Sequence, residues 1–296
     1  MFVVEVITFT HYKGGTGKTT SCISIAGYLA KAGNKVLIID ADPQSNVLHA
    51  LDIDREQAEP YSIISNPSNA DKYIMESKVE NISVLPAMMR SAEYKTERLP
   101  KNWYDSIKKA AEKVGEDFDY ILIDTPPSYS TIIISSAIAA DYLILCLDTG
   151  VFALQGIQLV EYALDHVEQS TGKRPEIRYN IINKAKKFLM FSDKYTKMSE
   201  EVVSKFYDQQ KYFIIPFSNK ILEAQQHGLP ISHYKSSSAG SVYKKLADEI
   251  MSTKDQPIEE NTEDETESKD TDESKIRGSA KSKDLVSNSN EEIFVD

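Results

Sequence analysis

The residues best suited to chemistry stand in one run, Thr10-His11-Tyr12-Lys13-Gly14-Gly15-Thr16-Gly17-Lys18-Thr19-Thr20, directly after the apolar stretch Phe2 to Phe9. An apolar strand, a glycine-rich loop and a helix start, in that order, make a phosphate-binding loop. Gly14, Gly15 and Gly17 have no Cβ to block close approach, so successive N–H groups from Gly14 through Gly17, including that of Thr16, can turn onto phosphate oxygens. The helix beginning near Lys18 adds its positive dipole end, with Thr19 and Thr20 in the first turn. Lys18 would reach the β and γ phosphates as a point charge, and the Thr19 hydroxyl would ligate Mg2+. A nucleoside triphosphate with its magnesium ion is the ligand this pattern implies.

The strict pattern G-x-x-x-x-G-K-[ST] is not met, because Tyr12 holds its first glycine position and a second lysine, Lys13, precedes the glycines. In this the loop resembles the deviant Walker A signature of the ParA/MinD family of ATPases. The resemblance implies that Lys13 acts in trans, reaching the phosphates of ATP bound by a second copy of the chain. A cation there would stabilise charge developing during phosphoryl transfer, as an arginine finger does.

Two acidic segments extend the resemblance. Asp40-Ala41-Asp42-Pro43-Gln44 follows the apolar run Lys35 to Ile39 and is similar to the family's D-x-D-P-Q switch segment. A carboxylate at the C-terminal edge of such a strand lies where ligands bind in open α/β sheets. The likeness implies that Asp42 orients or deprotonates the attacking water and that Asp40 supports the magnesium shell. Tyr120-Ile121-Leu122-Ile123-Asp124-Thr125-Pro126-Pro127 looks like the Walker B strand and its following switch, with Asp124 holding a magnesium-bound water. Further along, the resemblance implies an adenine contact from Asn183, packing of Pro216 against the base, and a place near a dimer interface for Phe152 to Gly156. One departure is Phe217, which stands where relatives commonly carry an arginine.

These residues require a scaffold that brings several strand ends together. Apolar runs rich in β-branched residues recur at 3–9, 35–39, 82–85, 120–123, 142–147, 177–182 and 213–215, separated by segments of helical period such as Ser24 to Ala32, Trp103 to Val114, Leu154 to Val167 and Ser199 to Tyr207. Continuous apolar strands alternating with helices predict an α/β fold, a mainly parallel twisted sheet with helices on both faces. Prolines punctuate 55–100, where only short helical pieces are expected. The periodic pattern stops near Met251, giving an ATPase domain over 1–251. Residues 252–296 hold 14 acidic and 6 basic side chains and few apolar ones, and are expected to be a disordered acidic tail.

Cys22 and Cys146 have neither disulfide nor metal-ligand spacing and read as small core residues. No basic leader precedes the first strand and no apolar run approaches a membrane span, so a cytoplasmic protein with no membrane partner is expected. Charge is unevenly spread. Residues 1–172 carry 14 basic and 23 acidic side chains, whereas 173–251 carry 14 and 8. That basic segment, with Lys184, Lys186 and Lys187 at its centre, suits sequence-independent binding of a phosphate backbone. Charge and resemblance together lead to a ParA-type partition ATPase: a homodimer bridged by ATP, bound to nonspecific double-stranded DNA on the nucleoid, stimulated by a ParB-like centromere-binding adaptor. Its rivals are a MinD-like positioning ATPase, against which the acidic tail argues, and a P-loop biosynthetic ligase.

Overall fold

The computed structural model describes residues 4–54, 56, 62–86, 103–127, 131–149, 153–188, 191–207 and 211–254, all within the unit Met1–Gln256. Most of the acidic segment, residues 255–296, lies outside the described residues, as does Phe152.

Among the described residues eight strands form one sheet: β1 (Glu5–Thr10), β2 (Val36–Asp40), β3 (Met75–Glu76), β4 (Ile82–Pro86), β5 (Tyr120–Asp124), β6 (Tyr142–Asp148), β7 (Ile177–Ala185) and β10 (Lys211–Pro216). Their order is β10-β7-β6-β1-β5-β2-β4-β3, and every pairing is parallel except that of the short edge strand β3 with β4. The predicted strands are therefore present, each within a few residues of its expected limits. The sequence pattern missed β3 and a hairpin of β8 (Lys187–Phe188) and β9 (Phe191–Ser192), whose two-residue strands are too short to show a period.

Strand alternation feeds two cores, because successive side chains leave opposite faces. Ile7, Phe9, Ile38, Leu122 and Ile144 pack with α1 (Lys18–Lys31) and α8 (Ser238–Thr253). On the opposite face Leu37, Ile39, Ile121 and Ile123 meet α3 (Ser106–Val114), while Leu143, Leu145 and Leu147 meet α4 (Thr131–Ala139), α5 (Ala153–Thr171) and α6 (Lys194–Phe206). Ile38 and Ile121 are fully buried, and each such side chain contributes about 1.5–3 kcal/mol through removal from water. Two shorter helices, α2 (Asn46–Ala50) and α7 (Asn219–Gln226), complete the α-helices among the described residues. Asp193 caps α6 by accepting from the Tyr195 and Thr196 amides, so α6 starts five residues before the predicted Ser199.

Parallel pairing aligns the C-terminal ends of the central strands. Asp40 and Asp124 stand in register on β2 and β5, and Phe9 of β1 lies opposite Asp124 on its other side. On β7 the register with β10 runs from Ile182–Ile214 to Ala185–Pro216, so β7 spends one more residue than β10 over that interval. The extra residue makes a bulge at Asn183-Lys184, with Lys184 at φ 59°, in the left-handed region.

Candidate nucleotide site

The loop from Lys13 to Gly17 joins β1 to α1. Gly17 ends it at φ 91°, a conformation that favours glycine, and a Cβ there would lie 2.7 Å from Asn183 Nδ2. Three loop carbonyls accept hydrogen bonds from side chains. Lys13 C=O receives Lys18 Nζ at 3.4 Å, Gly15 C=O receives Lys184 Nζ at 2.7 Å, and Thr16 C=O receives Asn183 Nδ2 at 2.8 Å.

Beneath the loop, Thr19 Oγ1 donates to Asp124 Oδ2 at 2.6 Å. Both side chains are hard-oxygen donors at one strand end, the donor set magnesium takes when phosphate and water supply its remaining ligands. Asp124 Oδ1 and Asp40 Oδ1 are buried without hydrogen-bond partners, which leaves acceptor capacity facing inward. Among the described residues no group of three or more His, Cys, Asp and Glu is placed to hold a metal ion by itself. Thr19 and Asp124 therefore fit Mg2+, with Asp40 behind them.

Burial raises the Asp124 carboxyl to about 7, against the opposing Thr19 hydrogen bond and Lys18 charge. Burial, then the charges of Asp124 and Asp42, raise Asp40 well above the usual carboxylate range. Lys18 is buried and its ammonium is shifted downward by desolvation, although Asp124 and Asp42 oppose that shift. Unpaired buried charge is costly, and three buried carboxyls, Asp40, Asp42 and Asp124, stand against one buried ammonium, Lys18, an excess of acidity that a divalent cation would offset. Asp42, also buried, accepts the Gln44 amide at 2.9 Å through Oδ1.

A family model described as an AAA domain matches residues 4–178. The chromosome-partitioning ATPase Soj of Treponema pallidum is 32% identical over 253 residues, covering 83% of this chain and 97% of its own. The chain belongs to the ParA/MinD family of P-loop ATPases. The sporulation initiation inhibitor protein Soj of Bacillus subtilis is 31% identical over 254 residues, covering 83% and 98%. In fold, an ATP complex of a Cyanothece McdA variant superposes with a TM-score of 0.73 at 22% identity, covering 85% of this chain and 98% of that one.

Within this ParA/MinD-type chain the predicted phosphate-loop residues, Asp40, Asp42 and Asp124 all gather at the ends of β1, β2 and β5. Asn183 lies close by but its amide is committed: Nδ2 donates to Thr16 C=O and to Ser21 Oγ at 3.3 Å, and Oδ1 accepts from Tyr243 Oη at 3.0 Å. These bonds hold the loop from behind. Pro216 closes β10 beside the Asn183-Lys184 bulge. Lys184, a DNA-contact candidate in the sequence, is exposed and has its ammonium on the Gly15 carbonyl. Lys186 is exposed; the side chain of Lys187 lies outside the described residues. Phe217 is exposed at 56%, so the missing arginine leaves an apolar surface position.

Two residues escaped the sequence reading. Asp148 ends β6 as Asp40 ends β2 and Asp124 ends β5, an acid closing an apolar strand, and that shared signal could have found it. It pairs with Lys13 of the same chain, Nζ to Oδ2 at 2.7 Å. His11 is fully buried, and its Nδ1 accepts the Lys13 amide at 3.1 Å. Desolvation, then the Lys18 charge, lowers it to about 4, so the ring is neutral near pH 7. Its Nε2 abuts Gly156 on α5, where a Cβ would come within 2.1 Å of it. Nothing in the spacing of the loop signals that contact.

Proposed function

We propose that the protein is a ParA-type partition ATPase that hydrolyses ATP with Mg2+. The observation that carries this reading is the Thr19–Asp124 hydrogen bond at 2.6 Å, which joins the phosphate-loop hydroxyl to the strand-end carboxylate. When bound, Mg2+ would neutralise phosphate charge there. The loop amides and Lys18 would hold the phosphates, Asp42 would orient the attacking water, and Asp40 would fix the metal shell from behind. Lys13 would leave Asp148 and reach the ATP of a second copy, bridging a homodimer.

In that dimer the cargo surface would be the basic region around Lys186, Lys187, Lys194 and Lys197. Lys186, Lys194 and Lys197 are exposed, and among the described residues no ion pair holds them. Nonspecific double-stranded DNA would bind there in the ATP state and leave after hydrolysis, and a ParB-like adaptor on a centromere-like site would stimulate turnover. The similarity to a chromosome-partitioning ATPase of Treponema pallidum supports this reading.

A second reading, positioning of a protein cargo, is favoured by the neutralisation of other basic residues. Arg174 binds Glu161 and Asp165, Arg178 binds Glu176, and Lys244 binds Asp248. Binding of random duplex measured with ATP, ADP and no nucleotide separates the two. Affinity confined to the ATP state is the result expected for partition, and no affinity in any state at low salt would bring the protein-cargo reading forward.

A further inference from the structure

The end of β7 grips the phosphate loop from outside the nucleotide cradle. In a trans peptide the C=O and the following N–H point in opposite directions, so a group that holds one residue's carbonyl also aims the next residue's amide. Lys184 Nζ holds Gly15 C=O at 2.7 Å, which turns the Thr16 amide away from Lys184. Asn183 Nδ2 holds Thr16 C=O at 2.8 Å, which does the same for the Gly17 amide.

Successive residues of an unbroken strand send their side chains to opposite faces, so neighbours 183 and 184 should not reach one loop together. They do because β7 is bulged at this point relative to β10 and because Lys184 takes φ 59°. That conformation is unfavourable for any residue with a Cβ, and bulges beside functional sites commonly re-aim a side chain. Gly15 itself is at φ 77°, and its carbonyl is reached from a residue 169 positions away. Asn183 is in turn fixed by Tyr243 of α8, at 3.0 Å from a fully buried hydroxyl, so the grip is anchored in the core.

We propose that the Asn183-Lys184 bulge orients the phosphate cradle and that Lys184 is a positioning residue acting through the Gly15 carbonyl on nucleotide binding, in place of a DNA contact. This rests on the nucleotide reading of the loop.

The test uses the full chain and titrates fluorescent ADP and a slowly hydrolysed ATP analogue, each with Mg2+. Lys184→Ala and Lys184→Gly should each weaken both nucleotides by about tenfold, the effect of losing a hydrogen bond from a charged group. Lys184→Arg, which keeps a cation, should recover most of the loss. Lys184→Gly should also melt at or above the wild-type temperature, since glycine accepts φ 59° without strain; weaker binding by a more stable protein cannot come from unfolding. Wild-type nucleotide affinity in both Lys184→Ala and Lys184→Gly would overturn the proposal, and a loss of random-duplex affinity alongside it would return Lys184 to the DNA surface. A wild-type chain that binds neither nucleotide would overturn the nucleotide reading and this inference together.

Discussion

Lys13 and Asp148 form an ion pair within one chain, Nζ to Oδ2 at 2.7 Å, with side chains 39% and 21% exposed. The lysine that the family resemblance assigns to a partner's phosphates is thus paired within its own chain. A partly exposed pair of this kind contributes about 0.2–1 kcal/mol, so it can bias Lys13 without locking it.

From that follows the first prediction. Asp148→Asn should lower the protein concentration needed for ATP-dependent dimerisation by up to about thirtyfold, the equivalent of two exposed pairs, one lost from each protomer. Lys13→Ala should keep nucleotide binding and lose the dimer. Sedimentation with a slowly hydrolysed ATP analogue measures both, and wild-type-like dimers in Lys13→Ala would sink the trans role.

Thr19→Ala removes the hydroxyl that donates to Asp124 Oδ2 and leaves a buried carboxylate oxygen without that partner. Nucleotide affinity should become nearly independent of Mg2+, and the fold should lose about 1–3 kcal/mol from the unsatisfied group. Titrations with Mg2+ and with EDTA decide; an undiminished Mg2+ effect would place the metal elsewhere.

Asp42→Ala should reduce turnover by roughly a hundredfold or more while nucleotide binding persists, as for loss of a general base. An ATP-bound dimer retained on DNA is the expected companion. If nucleotide affinity is lost instead, Asp42 belongs to the metal shell.

His11 and Asp124 pull the pH dependence of stability in opposite directions. His11 titrates near 4 when folded against 6.5 in its unperturbed state, so between those values the unfolded chain takes up a proton that the folded chain refuses. Stability from this group is full above pH 6.5 and falls on acidification, by roughly 3 kcal/mol at pH 4. Asp124 titrates near 7 when folded against 3.8, so the folded chain holds the extra proton and gains stability as the pH falls through the same window. His11→Asn should therefore be more stable relative to wild type at pH 4.5 than at pH 7 in denaturant unfolding. An unchanged difference between the two pH values would mean that the ring is not buried neutral.

Lys186→Glu combined with Lys187→Glu should weaken binding of random duplex in the ATP state uniformly across sequences and make it less dependent on salt. Every phosphate that the variant leaves unneutralised lowers the log-log slope by about 0.9. Filter binding over a salt series reads this directly, and an unchanged slope would move the DNA surface away from the β8–β9 hairpin.

The phosphate loop, the strands ending in Asp40 and Asp124, and the parallel α/β architecture are all legible in the sequence. The reason is that each depends on neighbours in the chain: glycine dihedrals, a helix start at Lys18, and apolar runs long enough to bury on both faces. The β8–β9 hairpin is not legible, because two-residue strands carry no period. Tertiary structure alone decides which side chains meet. Lys13 reaches Asp148 across 135 positions and Lys184 reaches Gly15 across 169, pairings that follow from sheet order and from one extra residue in β7. A basic residue in a basic segment looks the same in sequence whether it faces solvent or a carbonyl. Lys184 is a surface charge, as its segment suggests, and only the bulge, set by the register of β7 against β10, turns its ammonium onto the Gly15 carbonyl.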